Sequence, residues 1–253
     1  YFFNQMEHIM SKSLYPKTFF HFTNDIGKLE SIITCGFFRP SYARETIYGK
    51  NQQRIRYFGI PMVSFCNIRL SLLSEHTQKY GSYGIGLTYD WITRNNLNPV
   101  FYVSRNSNVF PQLDEQIRNI KEDSAITKES YNYLSNILRY VKNHTGPLIR
   151  DNKKRKNYCF ADEMEWRFVP DISTNIIPIV LQKNINTKEK KEKLNDKIKY
   201  IHLKFTVDDI KYIMLKNEKD LMPFLEKLRS QECDVNDKLI SKIFYTSQIE
   251  DDL

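Results

Sequence analysis

Thr18-Phe19-Phe20-His21-Phe22-Thr23 is the stretch on which the reading of the fold turns. It is aromatic and β-branched, holds no strong helix former, and so predicts a strand. Asn24 follows as the expected N-cap of a helix. In that helix Ile26, Leu29 and Ile33 recur at helical spacing, and Gly36 stops it. The chain has 16 Phe and 16 Tyr among 253 residues, which favours a β-rich, aromatic core. The chain is read as an α+β fold.

Working outward, residues 37–56 read as a loop carrying Gly and Arg. Residues 60–66 read as a strand entered through Pro61. A short helix begins at Leu70. Residues 80–87 combine a glycine-rich turn with a strand, because three glycines let backbone approach closely. Residues 100–103 predict another strand. Residues 112–143 have helical character, with Leu134, Ile137, Leu138 and Val141 in register. They are expected to form a helical insertion around 112–145. Glu165 to Val169 should be a strand stopped by Pro170. Residues 184–199 are rich in Lys, Glu and Asn and should be exposed. Strands are expected over 200–205, 212–215 and 243–246, with Thr206 capping a turn over 207–210. Helices are expected over 218–229 and 234–240. There is no internal repeat, and residues 1–253 are read as a single domain.

Composition bounds the function. With 41% hydrophobic and 27% charged residues, the chain looks like an ordinary soluble protein. No apolar run approaches the roughly 20 residues needed to cross a bilayer, and no signal-peptide pattern opens the sequence, so a cytoplasmic location without membrane contact is expected. Cys35, Cys66, Cys159 and Cys233 lack Cys-x-x-Cys spacing, so no metal is expected and the thiols are read as free and mostly buried. A net charge of +8 suits phosphate-bearing partners, or reflects many solvated lysines spread along the chain.

Two motifs carry chemistry. His21-Phe22-Thr23 ends the first strand, and Glu163-Met164-Glu165-Trp166-Arg167 opens a later one. A His-x-Thr and a Glu-x-Glu on separate strands resemble the NAD-holding motifs of ADP-ribosyltransferases. With 36–42, 60–66, 80–87 and 98–100 between them, the motifs come in an order that resembles AbiGi-type abortive-infection proteins of bacterial phage defence, from Thr18 to about Thr246. That family has been described as an antitoxin component.

The resemblance implies an ADP-ribosyltransferase-like split sheet with peripheral and inserted helices. It implies NAD as substrate, a toxin or effector role with RNA or DNA as candidate acceptor, and a restraining antitoxin or chaperone partner. Glu165 would stabilise the oxocarbenium-like ribose, as a carboxylate does in glycoside hydrolysis. Glu163, expected on the same strand face, would orient the nucleophile, and one of the two carboxyls should have a raised pKa. His21 would bind the adenosine ribose, supported by Thr23. Ser64, Tyr80 or Tyr83 would fill the middle motif, and Arg39 or Arg44 would meet the pyrophosphate. Lys153-Lys154-Arg155-Lys156 would hold a nucleic-acid backbone, with Tyr158 stacking on a base.

Each has a plainer reading. His21 could be a core histidine, the glutamates an exposed strand face, the tyrosines packing residues, the basic run a solvated loop, and Arg167 a counter-charge for Glu163 or Glu165. The alternative function is a non-catalytic antitoxin or regulatory binding protein.

Overall fold

A computed structural model describes residues 15–122, 128–150, 153–172 and 176–251. The chain divides into two compact units, where the sequence reading treats it as one domain. The first unit comprises 1–37, 65–94 and 205–253; the second comprises 38–64 and 95–204.

The first unit is built on a sheet that begins with Thr18–Thr23. Tyr83–Thr88 pairs antiparallel with it, His21 facing Ile85 and Thr23 facing Tyr83. Ile210–Leu215 adds antiparallel to the other side, and Ile243–Tyr245 closes the order in parallel. Alternation along the first strand sorts its side chains between two faces. On one face Phe20 stacks on Phe22 and on Tyr212, whose ring meets the edge of Phe244 at 5.5 Å. Gly86 lies opposite Phe20, and a Cβ there would stand 2.8 Å from the Phe20 ring. The missing side chain is what lets this aromatic row close over the sheet.

The helix Ile26–Cys35 follows, but its N-cap is Asp25, not Asn24: the Asp25 side chain accepts from the Gly27 N–H. Gly36 ends it in the left-handed region at φ 67°, as its position suggested. Thr206 and Asp209 form a capping box over the turn Val207–Asp209.

The second unit has more β-structure than the sequence suggests. The expected 37–56 loop contains the strand Ser41–Tyr48, paired antiparallel with the long strand Arg54–Cys66 that begins within it. Pro61 therefore sits inside a strand, opposite Tyr42, not at its entry. Glu165–Phe168 pairs with Asn98–Pro99, Phe101–Val103 pairs in parallel with Val141–Asn143, and Thr145–Arg150 pairs with Lys153–Cys159. The expected helical insertion is two helices, Val109–Glu122 and Lys128–Leu138, and Val141 belongs to a strand. These helices form part of the core: Phe110, Ile117 and Leu138 pack in one cluster with Phe58, Ile60 and Val141. The exposed segment is the helix Lys188–Asp196, capped by Thr187. Of the strand expected over 200–205, Leu203–Lys204 forms.

Candidate functional site

The expected site residues fall into both units. His21, Thr23, Tyr80 and Tyr83 belong to the first; Arg39, Ser64, Glu163 and Glu165 belong to the second.

Within the first unit, His21, Thr23 and Tyr83 share one sheet face, since directly opposed residues of an antiparallel pair project to the same side. The His21 ring lies 5.6 Å from that of Phe65, which meets Trp91 edge-on. Thr23 is buried, and its hydroxyl accepts from the Asp25 N–H. Tyr83 donates to Asp220 at 3.2 Å. Tyr80 is on the other side: its ring packs against Phe22 and His76. His21 and Tyr80 therefore do not share a face, which corrects their joint assignment to one cofactor.

Within the second unit, Arg39 is exposed, and Ser64 stands 3.7 Å from the Met62 sulfur. Arg44, the alternative for pyrophosphate, donates instead to the Ile185 carbonyl. The side chains of Lys153 and Lys154 lie outside the described residues. Arg155 and Lys156 are exposed on a strand, not on a loop. Tyr158 is buried, with its ring edge against Phe160 at 5.0 Å, so it does not present a stacking face to a base. The cysteines are free but not mostly buried: Cys35 is exposed and the others are half-buried.

The two glutamates do come together, in a way the sequence did not foretell. Glu163 is not on the Glu165 strand. It ends the short helix Phe160–Glu163, and Met164 turns the chain at φ 44° before the strand begins. That left-handed turn points both carboxylates at one cation. The Lys142 ammonium donates to Glu163 at 2.6 Å and to Glu165 at 2.7 Å. Its other side faces the Phe160 ring at 5.1 Å.

Arg167 completes the cluster. Its Nε donates to Glu165 Oε1 at 2.7 Å, and its Nη2 donates to Glu45 at 2.6 Å. Its Nη1 donates to the Arg139 carbonyl at 2.9 Å. Neighbouring strands hold the frame. Tyr102, paired with Lys142, accepts the Glu165 N–H on its hydroxyl at 2.8 Å, and the Val100 N–H donates to the Glu165 carbonyl. Arg167 has no exposed surface, and Glu163 and Glu165 are each 4% exposed.

Electrostatics follows from this packing. Burial alone would raise the Glu165 carboxyl, but the Arg167 guanidinium and the Lys142 ammonium overcome it and hold the group well below the usual carboxylate range. The expected raised carboxyl is not Glu165 but Glu45, where burial outweighs Arg167 and Lys142. Lys142 is driven up by its three carboxylate neighbours despite its burial. Three acids and two bases leave the group one formal negative charge, which a proton on Glu45 would neutralise. The plainer reading of Arg167 as a counter-charge describes its bonds to Glu165; Glu163 is served by Lys142 instead.

Lys142, Glu45 and Tyr102 were not legible as site residues. Lys142 sits where the helical repeat was extended past its end, and Glu45 sits in the stretch read as loop. The aromatic and β-branched residues Tyr42, Thr46, Ile47 and Tyr48 were a usable strand signal.

Two further features complete the chemical inventory. Among the described residues, no group of three or more His, Cys, Asp or Glu is placed to hold a metal ion. Nor is any helix there long and apolar enough to cross a membrane.

The comparisons with known proteins reach across the second unit and into the first. The family described as abortive phage resistance protein AbiGi, antitoxin, matches residues 37–216. That span contains every member of the charge cluster and excludes His21. The abortive phage resistance protein AbiGi of Lactococcus lactis subsp. cremoris is 30% identical over 251 residues, covering 85% of this chain and 99% of its own length. No solved structure matches. The extent of both likenesses settles the kinship: the chain belongs to the AbiGi family of abortive phage resistance proteins.

Proposed function

We propose that this chain is the antitoxin component of an abortive-infection pair, a non-catalytic protein that binds and restrains a toxin chain. The observation that carries the reading is the condition of Glu165. Both its oxygens are engaged by buried cations, and the side chain is almost wholly withdrawn from solvent. A carboxylate that stabilises a ribosyl cation must reach the ribose. This one is instead part of what holds the second unit together. The description of the family as antitoxin supports the same reading.

The ADP-ribosyltransferase reading rests on the order of the His21 and Glu165 motifs and makes opposite predictions. Expression of this chain alone should leave bacterial growth unchanged. Its cognate toxin alone should arrest growth, and co-expression should restore it, with the two chains purifying together. Labelled NAD incubated with the pure chain and separate pools of RNA, DNA and protein should transfer no label. Growth arrest by this chain alone, with label on an acceptor that disappears in a folded Glu165→Gln variant, would overturn the antitoxin reading.

A further inference from the structure

A cavity of about 790 Å³ opens in the second unit. Its wall includes Arg139, Asn95, Asn132, Asn136, Glu129 and Asp171. Arg139 is the unusual member. It is 2% exposed and belongs to no ion pair among the described residues, although the charge of Asp171 in the same wall acts on it. Its Nη1 donates to the Pro170 carbonyl at 2.8 Å and its Nη2 to the Asn136 side-chain oxygen at 2.7 Å, both neutral acceptors. Its Nε is buried without a hydrogen-bond partner. Burial lowers the guanidinium to about 10, so it remains charged at neutral pH.

A buried cation fixed by neutral oxygens and left with a spare donor is costly unless an anion shares it. The cavity beside it is of the size that takes small ligands, on the order of 300–1,000 Å³. The rest of its lining mixes these amides and carboxylates with aromatic and aliphatic side chains, Tyr133, Tyr140 and Phe168 among them. Asparagine amides supply paired donors and acceptors of the kind that read a heterocycle edge. Glu129, which already accepts from the Tyr133 hydroxyl, and Asp171 have carboxylate oxygens suited to hydroxyl groups. An anion alone would find these carboxylates unfavourable, whereas a ligand carrying an anionic end, hydroxyls and an amide-like edge uses all three.

We propose that this cavity binds a nucleoside monophosphate, its phosphate on Arg139, its ribose hydroxyls on Glu129 and Asp171, and its base against the asparagines. This site is independent of the antitoxin reading and uses none of the residues expected to hold NAD.

Titration calorimetry of the intact chain tests it, with the four ribonucleoside 5′-monophosphates, the matching uncharged nucleosides and inorganic phosphate as probes. At least one monophosphate should bind, and at least tenfold more tightly than its nucleoside or phosphate alone. Arg139→Lys keeps the charge but loses the planar donor set, and should weaken binding at least tenfold. Should Arg139→Lys fail to fold, Asn132→Asp decides. It sits on a half-buried helix position and adds a like charge, so it should weaken the monophosphate at least tenfold at unchanged thermal stability. Failure of all four monophosphates to bind would overturn the proposal. So would equal binding of nucleoside or phosphate, or affinity unchanged in the folded variants.

Discussion

The two units solve the same problem with opposite chemistry. In the first, the sheet around Thr18–Thr23 is held by rings fitted over glycine, with Phe22, Phe20, Tyr212 and Phe244 in a row. In the second, Glu165–Phe168 is held by Lys142 and Arg167 shared among three acids. Close packing fails gradually, because neighbours can shift. A buried ion network fails abruptly, because removing one partner strands the others. The lesson is that Glu163 and Glu165, which look like catalytic equipment in the sequence, lie in a buried network of ion pairs in the second unit, while the aromatic run packs the first.

The largest break in the comparison should come from Lys142→Met. It leaves Glu163 and Glu165 without their shared cation and should cost about 3–5 kcal/mol, the usual penalty for uncompensated buried charge. Denaturant midpoints would show it, or loss of soluble protein. A cost under about 1 kcal/mol would mean that the cluster is not what secures the unit.

Gly86→Ala should cost less, about 1–3 kcal/mol, by pressing a methyl group on the Phe20 ring and the Thr18 methyl. The double variant Gly86→Ala with Phe20→Leu should cost less than the sum of the two single changes, since the smaller side chain makes room. Strict additivity would remove overpacking as the reason for glycine there.

The smallest effect should be on pH dependence. The folded Glu165 carboxyl lies below its unfolded value, so its contribution is fully present above the ordinary Glu range and fades as pH falls below about 4. Glu45 has the opposite sign. Its folded value is raised, so the folded state binds the extra proton, and stability declines as pH climbs from the ordinary Glu range through the folded value. Glu45→Gln keeps an acceptor for Arg167 and removes the titration. It should cost no more than about 1.5 kcal/mol and flatten the decline on the neutral side, while leaving the acid loss in place. A variant whose profile still declines there would show that another group titrates.

These effects also mark what could be read from the sequence. The strand at Thr18–Thr23, the Gly36 stop and the Thr206 cap were legible because each depends on residues within a few positions of one another. The cluster was not. Glu45 and Arg167 are 122 residues apart, and Lys142 and Glu165 are 23 apart. No local period links them. The helical repeat through Leu134, Ile137 and Leu138 happened to continue to Val141, although the helix ends at Leu138. Glu163 and Glu165 do meet, but through a left-handed Met164 and not through the alternation of a strand.

The way the chain threads its two units has a consequence for how it is made. The first unit takes its sheet strands from Thr18–Thr23, Tyr83–Thr88, Ile210–Leu215 and Ile243–Tyr245, and the second unit is encoded between them, 38–64 before the second strand and 95–204 before the third. At translation rates of about 5–20 residues per second, the first strand waits roughly ten to forty seconds for its distal sheet partners to leave the ribosome. A premature stop anywhere before Ile210 yields a polypeptide with an unfinished sheet and open edge, fit for proteolysis. The folded first unit would therefore track completed synthesis, so that a stalled ribosome removes it first.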